Sequence, residues 1–367
     1  MKKAGIIFLI IILLFISYGC SFSKKNSNVS SVIVTGWNNI YDGHNIHFYY
    51  ESKDNKNSAD LNKTYKLSGL VKSNDDDFKK SLTLQKWVNQ KLKFDKGSDT
   101  AQSDAASILK EAENGKAVSD KGYAIVFCEA APSLGITARI GELRTQNMTD
   151  SKRNFNHYVC EIWSSQKNKW ILIDTVNGCY MESKGVPQSA AEVLEKGIDN
   201  VDIKGTDNKS NYVKDMGYLY DSYTIQIDNS FSETKKSFSS ITYIKHGSLP
   251  EIQASNGGFT APAIFVMKDD LFNKSPLLPY KDDSSDSMPT LIFSKKQKND
   301  KKGVLSFYGG AFKNSVNIEN YYISIDNSSF NKCSKYFDID LQPGKNNIRL
   351  SMDEKNVLRE ITIEYKK

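Results

Sequence analysis

Residues 115–143 read GKAVSDKGYAIVFCEAAPSLGITARIGEL, followed by NHYVCEIW at 156–163 and KWILID at 169–174. Across 120–134 the residues Tyr123, Ala124, Val126, Phe127, Ala130 and Ala131 recur at helical spacing. Pro132 shortens the last turn because its ring nitrogen carries no hydrogen to donate. Residues 136–142, 157–163 and 170–174 are rich in β-branched and aromatic side chains and predict three strands, the last two joined by a polar turn. A helix followed by antiparallel strands is an α+β arrangement.

Working outward, the acidic residues Asp75, Asp76 and Asp77 open a predicted helix whose apolar face is Phe78, Leu82, Leu84, Trp87, Val88 and Leu92. A second helix is predicted over 104–113, stopped by Gly115. Residues 32–50 have a hairpin-like pattern, and 189–196 predict a short helix. Beyond residue 230 the chain turns β-rich, with short strands at 321–326, 336–341, 347–351 and 358–365. Turn-forming residues at 342–344 and 353–356 separate them, a spacing that suggests a sandwich. The last stretch resembles the final strands of immunoglobulin-like surface domains. No internal repeat is visible.

The whole chain has 367 residues, 39% hydrophobic and 11% aromatic, too apolar for a disordered chain and long enough for two or three domains. The net charge of +6 is small and evenly spread, which argues against nucleic acid as a partner. Lys2 and Lys3 precede an apolar run over 4–16 that is too short for a permanent span and reads as an export signal. The stretch ending in Gly19-Cys20 resembles a bacterial lipoprotein signal, with Ser17 where that family usually has Leu. The resemblance implies lipidation at Cys20 and a place on the extracytoplasmic face of the cell membrane, held by the lipid anchor. The expected division is a signal at 1–20, a flexible tether at 21–31, an α+β domain at 32–230 and a β-rich region at 231–367. Export permits disulfides, but the spacing of Cys128, Cys160, Cys179 and Cys333 leaves their status open. Cys128 and Cys160 read as buried small hydrophobes.

The quoted stretch resembles the core of the transglutaminase-like superfamily, of papain-like cysteine-peptidase type. The family sets a nucleophilic Cys at a helix start ahead of a Gly-Tyr-Ala-like run. It continues with Gly-Ile-x-Ala-Arg, a strand opening on His, and a strand ending Trp-x-x-x-Asp. Here those pieces are Gly122-Tyr123-Ala124, residues 135–139, His157 and residues 170–174. The resemblance covers roughly 60–185 and implies acyl-transfer chemistry at amides. A thiolate favoured by the helix end would attack, His would move the proton, and a carboxylate would orient the His. His157 and Asp174 stand at the retained triad positions, but counting back from Ala124 puts Asp120, not Cys, at the nucleophile position.

Asp120 is expected to cap the helix and, with Asp174, to hold His157 protonated. The resulting expectation is a degenerate, non-catalytic module that binds an extended peptide or a cell-wall stem peptide and uses no cofactor. The alternative is a protease- or transglutaminase-type enzyme using Ser119 with His157 and Asp174, Ser119 otherwise being a helix cap. A metal held by Asp120, His157 and Asp174 is a third arrangement of suitable ligand types, and no metal is expected. Arg139 is expected to pair with a carboxylate in a structural role.

Overall fold

The computed structural model describes residues 31–366 other than 45, 99–103, 146–154, 207–208, 233, 246, 251–261, 281–285 and 297–303. The expected export signal, Cys20 and the tether up to residue 30 lie outside the described residues. Among the described residues no helix is long and apolar enough to cross a membrane.

Four helices come first: α1 (Lys56–Tyr65), α2 (Asp77–Lys91), α3 (Ala105–Glu113) and α4 (Asp120–Ala130). Each begins at a residue whose side-chain oxygen accepts an otherwise orphaned backbone N–H. Asn55 accepts from Ser58 at 3.0 Å, Asp76 from Lys79 at 2.7 Å, Asp104 from Ser107 at 2.8 Å and Ser119 from Gly122 at 3.5 Å. α1 has no counterpart in the sequence reading, because KNSADLNKTY buries only Ser58 and Leu61 and so lacks an apolar period. After α4, Pro132 lies in a tight 3-10 turn (Ala131–Leu134), and Gly135 at φ 76° closes it in a left-handed conformation that favours glycine.

The strands β1 (Ser31–Asn38), β2 (Ala138–Arg144), β3 (Asn156–Ser164), β4 (Lys169–Asp174) and β5 (Cys179–Ser183) carry the parts that matter most. β2 to β5 pair antiparallel in chain order. On the free side of β2 the sheet continues through Ser222–Gln226 and Ser240–Ile244. It then passes, by one parallel pairing, to Ala263–Val266, and on through Thr290–Lys295 and Leu305–Lys313 to Tyr336–Leu341. Helices α1 to α4 cover one face, where Leu84, Val88, Ile108 and Phe127 share a core with Cys160, Ile162, Ile171 and Ile173. Alternate residues of the same strands, Leu143, Val159 and Leu172, point to the other face and meet Val193, Leu194, Tyr223 and Phe272. Burying each such side chain contributes roughly 1.5–3 kcal/mol.

The C-terminal region has two strand layers around one core that includes Leu291, Phe307, Ile323, Ile339, Leu350 and Ile361. The second layer is Asn320–Ile325, Gly344–Ser351, Arg359–Lys366 and β1. The hairpin expected over 32–50 does not form. β1 pairs instead with Arg359–Lys366, and the following extended segment bonds outward, Tyr41 N–H to Phe265 O at 2.8 Å and Tyr49 N–H to Ile227 O at 2.9 Å. Hydrogen bonding also runs unbroken across residue 230, where a border was expected, because Ser222–Gln226 and Ser240–Ile244 are paired neighbours.

Arg139 has the carboxylate expected for it. Glu161 stands opposite in register, with Nε and one terminal nitrogen of Arg139 donating to it at 2.8 and 2.6 Å, both side chains fully buried. The guanidinium lies 3.9 Å from the Trp170 ring centre, and Tyr223 Oη and Ala190 N complete Glu161 at 2.8 Å each. A buried pair of this kind locks β2 and β3 together while its desolvation cost is offset by the added donors.

Candidate functional site

β3 opens on Asn156-His157 and β4 closes on Asp174. The register pairs Cys160 with Ile173, so residue 174 falls opposite 159 and its side chain shares a face with His157. α4 packs along β3, and the segment before it is tied to residues 93–95 by Val118 N–H to Lys93 O at 2.8 Å and Asp95 N–H to Val118 O at 3.0 Å. These pairings bring the start of α4 to His157.

The imidazole of His157 lies between two carboxylates. Nδ1 is 3.0 Å from Asp120 Oδ2, and Nε2 is 3.2 Å from each oxygen of Asp174. Asp120 also accepts from Lys96 Nζ, from Tyr158 N–H at 3.2 Å and from Lys121 N–H at 2.9 Å. Asp174 accepts from Asn177 N–H at 3.0 Å, Asn177 Nδ2 at 2.9 Å and Tyr212 Oη at 2.9 Å. Behind it Tyr212 and Tyr220 hydroxyls are 2.9 Å apart. Asp120, His157 and Asp174 are 3%, 4% and 0% exposed, so water screens none of these contacts well.

Burial alone would favour the neutral imidazole. The Asp174 charge and the hydrogen bonds to both carboxylates outweigh it and raise His157 to about 9. Burial likewise works against ionised Asp120, but the His157 bond and charge, with Lys96, hold it down at about 2. Asp174 is lowered against its burial by the His157 charge and by Asn177. At neutral pH the site is therefore a row of alternating charge, Lys96, Asp120, His157 and Asp174, each touching the next.

This arrangement limits the chemistry. An imidazole that already carries both protons can give one up but cannot accept one, and it has no lone pair for a metal ion. Among the described residues no grouping of His, Cys, Asp and Glu has the makings of a metal site. Ser119 sits at the site's edge as the residue before α4, and its Oγ accepts the Gly122 N–H. The capping expected of Asp120 thus falls to Ser119, since Asp120 is already the first helical residue and its carboxylate turns to His157 and Lys96. Cys128, Cys160 and Cys179 are free and buried. Cys160 Sγ lies 3.8 Å from Ala124 O inside the helix–sheet core, and burial pushes the Cys160 and Cys179 thiols up.

The structure brings the side chains of Asp120, His157 and Asp174 into contact and adds Lys96, Asn177, Tyr212 and Tyr220, which were not among the sequence candidates. Asn177, three residues after Asp174 in a turn, carried a local signal of side chain to backbone bonding. Lys96 and Tyr212 come from distant segments and carried none.

Residues 66–175 match the transglutaminase-like superfamily. This part of the chain is a transglutaminase-like domain. A solved structure from Cytophaga hutchinsonii, named "Putative Cysteine Protease", is similar over 55% of this chain and 56% of that one, at 15% identity and a TM-score of 0.27. The chain thus spans little more than half the length of that structure. No curated protein matches. Within the transglutaminase-like domain, the helix start, the His strand and the Asp strand are the three elements that meet at the charged row.

Proposed function

We propose that this chain is a lipid-anchored, extracytoplasmic surface protein whose transglutaminase-like domain is non-catalytic and binds an extended peptide, cell-wall stem peptides included. The observation that carries the reading is the position of His157, with both ring nitrogens turned to carboxylates and Asp120 standing where the family resemblance calls for a cysteine. Amide acyl transfer needs a nucleophile whose proton the imidazole can take. Asp120 is a poor one, because a carboxylate attacks amides weakly and this one is held ionised by His157 and Lys96. The basic start, the short apolar run and Cys20 support export and anchoring.

Incubation with a primary amine and a glutamine peptide should give no conjugate and no cleaved peptide. Turnover by the wild-type protein would overturn the reading. Asp120→Cys places a thiol beside His157 and the helix start, and thiol-dependent turnover of the glutamine peptide by that variant would support the reading that only the nucleophile is lacking. Cys20→Ala should move the protein from the membrane fraction to the soluble one in the producing cell.

A further inference from the structure

Next to the charged row, residues 93–95 run extended beside residue 118. Lys93 O and Asp95 N are the groups that reach Val118. In an extended chain the intervening residue aims its own N–H and C=O the opposite way. Phe94 therefore turns both main-chain groups outward, and among the described residues neither meets a backbone partner. Its ring, 41% exposed, rests edge-on against Tyr123 with centroids 6.1 Å apart. Around this open edge one exposed carboxylate, Asp95, takes up the Gly97 N–H and the Ser98 hydroxyl, and the remaining exposed charge is basic. Lys93 and Lys121 are exposed and have no acidic partner among the described residues, whereas Lys96 is engaged with Asp120 and Lys116 with Glu111 at 2.9 Å.

We infer that this edge receives an extended peptide bearing carboxylate side chains, which adds as a strand along Phe94 with its acids against Lys93 and Lys121. The inference rests on the binding reading above and names the chemistry of its ligand. Main-chain bonding at Phe94 supplies affinity for any extended peptide, and the two lysines supply the preference for acids. A phosphate polymer would use the lysines and could accept the Phe94 N–H, but it has no donor for the Phe94 carbonyl.

The test uses the full-length, detergent-solubilised protein and fluorescein-labelled eight-residue peptides of alternating Glu and Ser, Gln and Ser, or Lys and Ser, with inorganic polyphosphate as competitor. Anisotropy should show the Glu peptide binding about tenfold more tightly than the Gln peptide at low salt, with the advantage lost near 0.5 M salt. The double variant Lys93→Glu/Lys121→Glu, folded by circular dichroism, should weaken Glu-peptide binding by about fivefold or more. Exchange of the Phe94 amide hydrogen should slow when peptide is bound. Equal binding of the Glu and Gln peptides, an unaffected double variant, or polyphosphate slowing the Phe94 amide as much as the Glu peptide does would overturn the inference. The first of these leaves peptide binding itself intact, while cleavage of the bound Glu peptide would overturn the non-catalytic reading and not the surface.

Discussion

Replacing His157 by Asn tests the charged row most directly. His157 is 4% exposed and is raised from 6.5 to about 9 by the two carboxylates that flank it. A group whose folded pKa lies above its unfolded value adds stability that is complete below the unfolded pKa and disappears as pH rises through the folded one. The shift corresponds to about 3 kcal/mol, present in full below pH 6.5 and gone above about pH 9. His157→Asn removes the cation and leaves two buried carboxylates facing a neutral side chain, a loss of about 3–5 kcal/mol at pH 6. Urea unfolding followed by tryptophan fluorescence, with Trp163 and Trp170 reporting from the sheet, should be run at half-unit steps from pH 5 to 10. The wild-type advantage should be largest at pH 5–6.5, fall across 6.5–9 and vanish by about pH 10. Parallel curves for the two proteins across that window would refute the ion-paired imidazole.

Arg139→Ala strands Glu161 without its buried cation and should cost about 3–5 kcal/mol in urea unfolding, whereas Glu161→Gln/Arg139→Met should recover part of that loss. Tyr212→Phe deletes one donor to Asp174 while Asn177 and His157 remain, and should destabilise by about 1.5–3 kcal/mol on the same assay. Gly141→Ala would push a methyl group into the Tyr223 side chain, whose hydroxyl completes Glu161, and should lower stability by about 1–3 kcal/mol. Native protein treated with iodoacetamide should leave Cys160 and Cys179 unmodified by intact mass, and urea should expose both. Rapid native labelling of either would reveal a nucleophile that the buried thiols are argued not to provide.

The parts of the fold legible in the sequence are those where one chain segment carries its own signal. Leu84, Trp87 and Val88 fall at i, i+3 and i+4 and α2 forms there, and β3 and β4 alternate between two cores as their β-branched residues suggest. The grouping of Asp120, His157 and Asp174 was legible only through the family resemblance, since a strand or helix read locally does not say which other element its end will meet. The illegible parts depend on partners far along the chain. β1 looked like half of a local hairpin because a strand's sequence does not name its neighbour, and Arg359–Lys366 proved the better match. Lys96 reads as one exposed lysine among many until the bridge at Phe94 and Val118 sets it over Asp120.

The pairing of β1 with Arg359–Lys366 has a consequence for biosynthesis. Thr35 and Thr362 touch across that seam although 327 positions separate them, so the outer layer stays unfinished until the ribosome has made nearly everything between. Until then the early strand waits with a bare edge, the kind of surface on which a neighbouring nascent chain can template. Export before folding would keep that waiting period outside the crowded cytosol, and a variant that loosens the seam should betray itself first as clumping during production, ahead of any change at the imidazole.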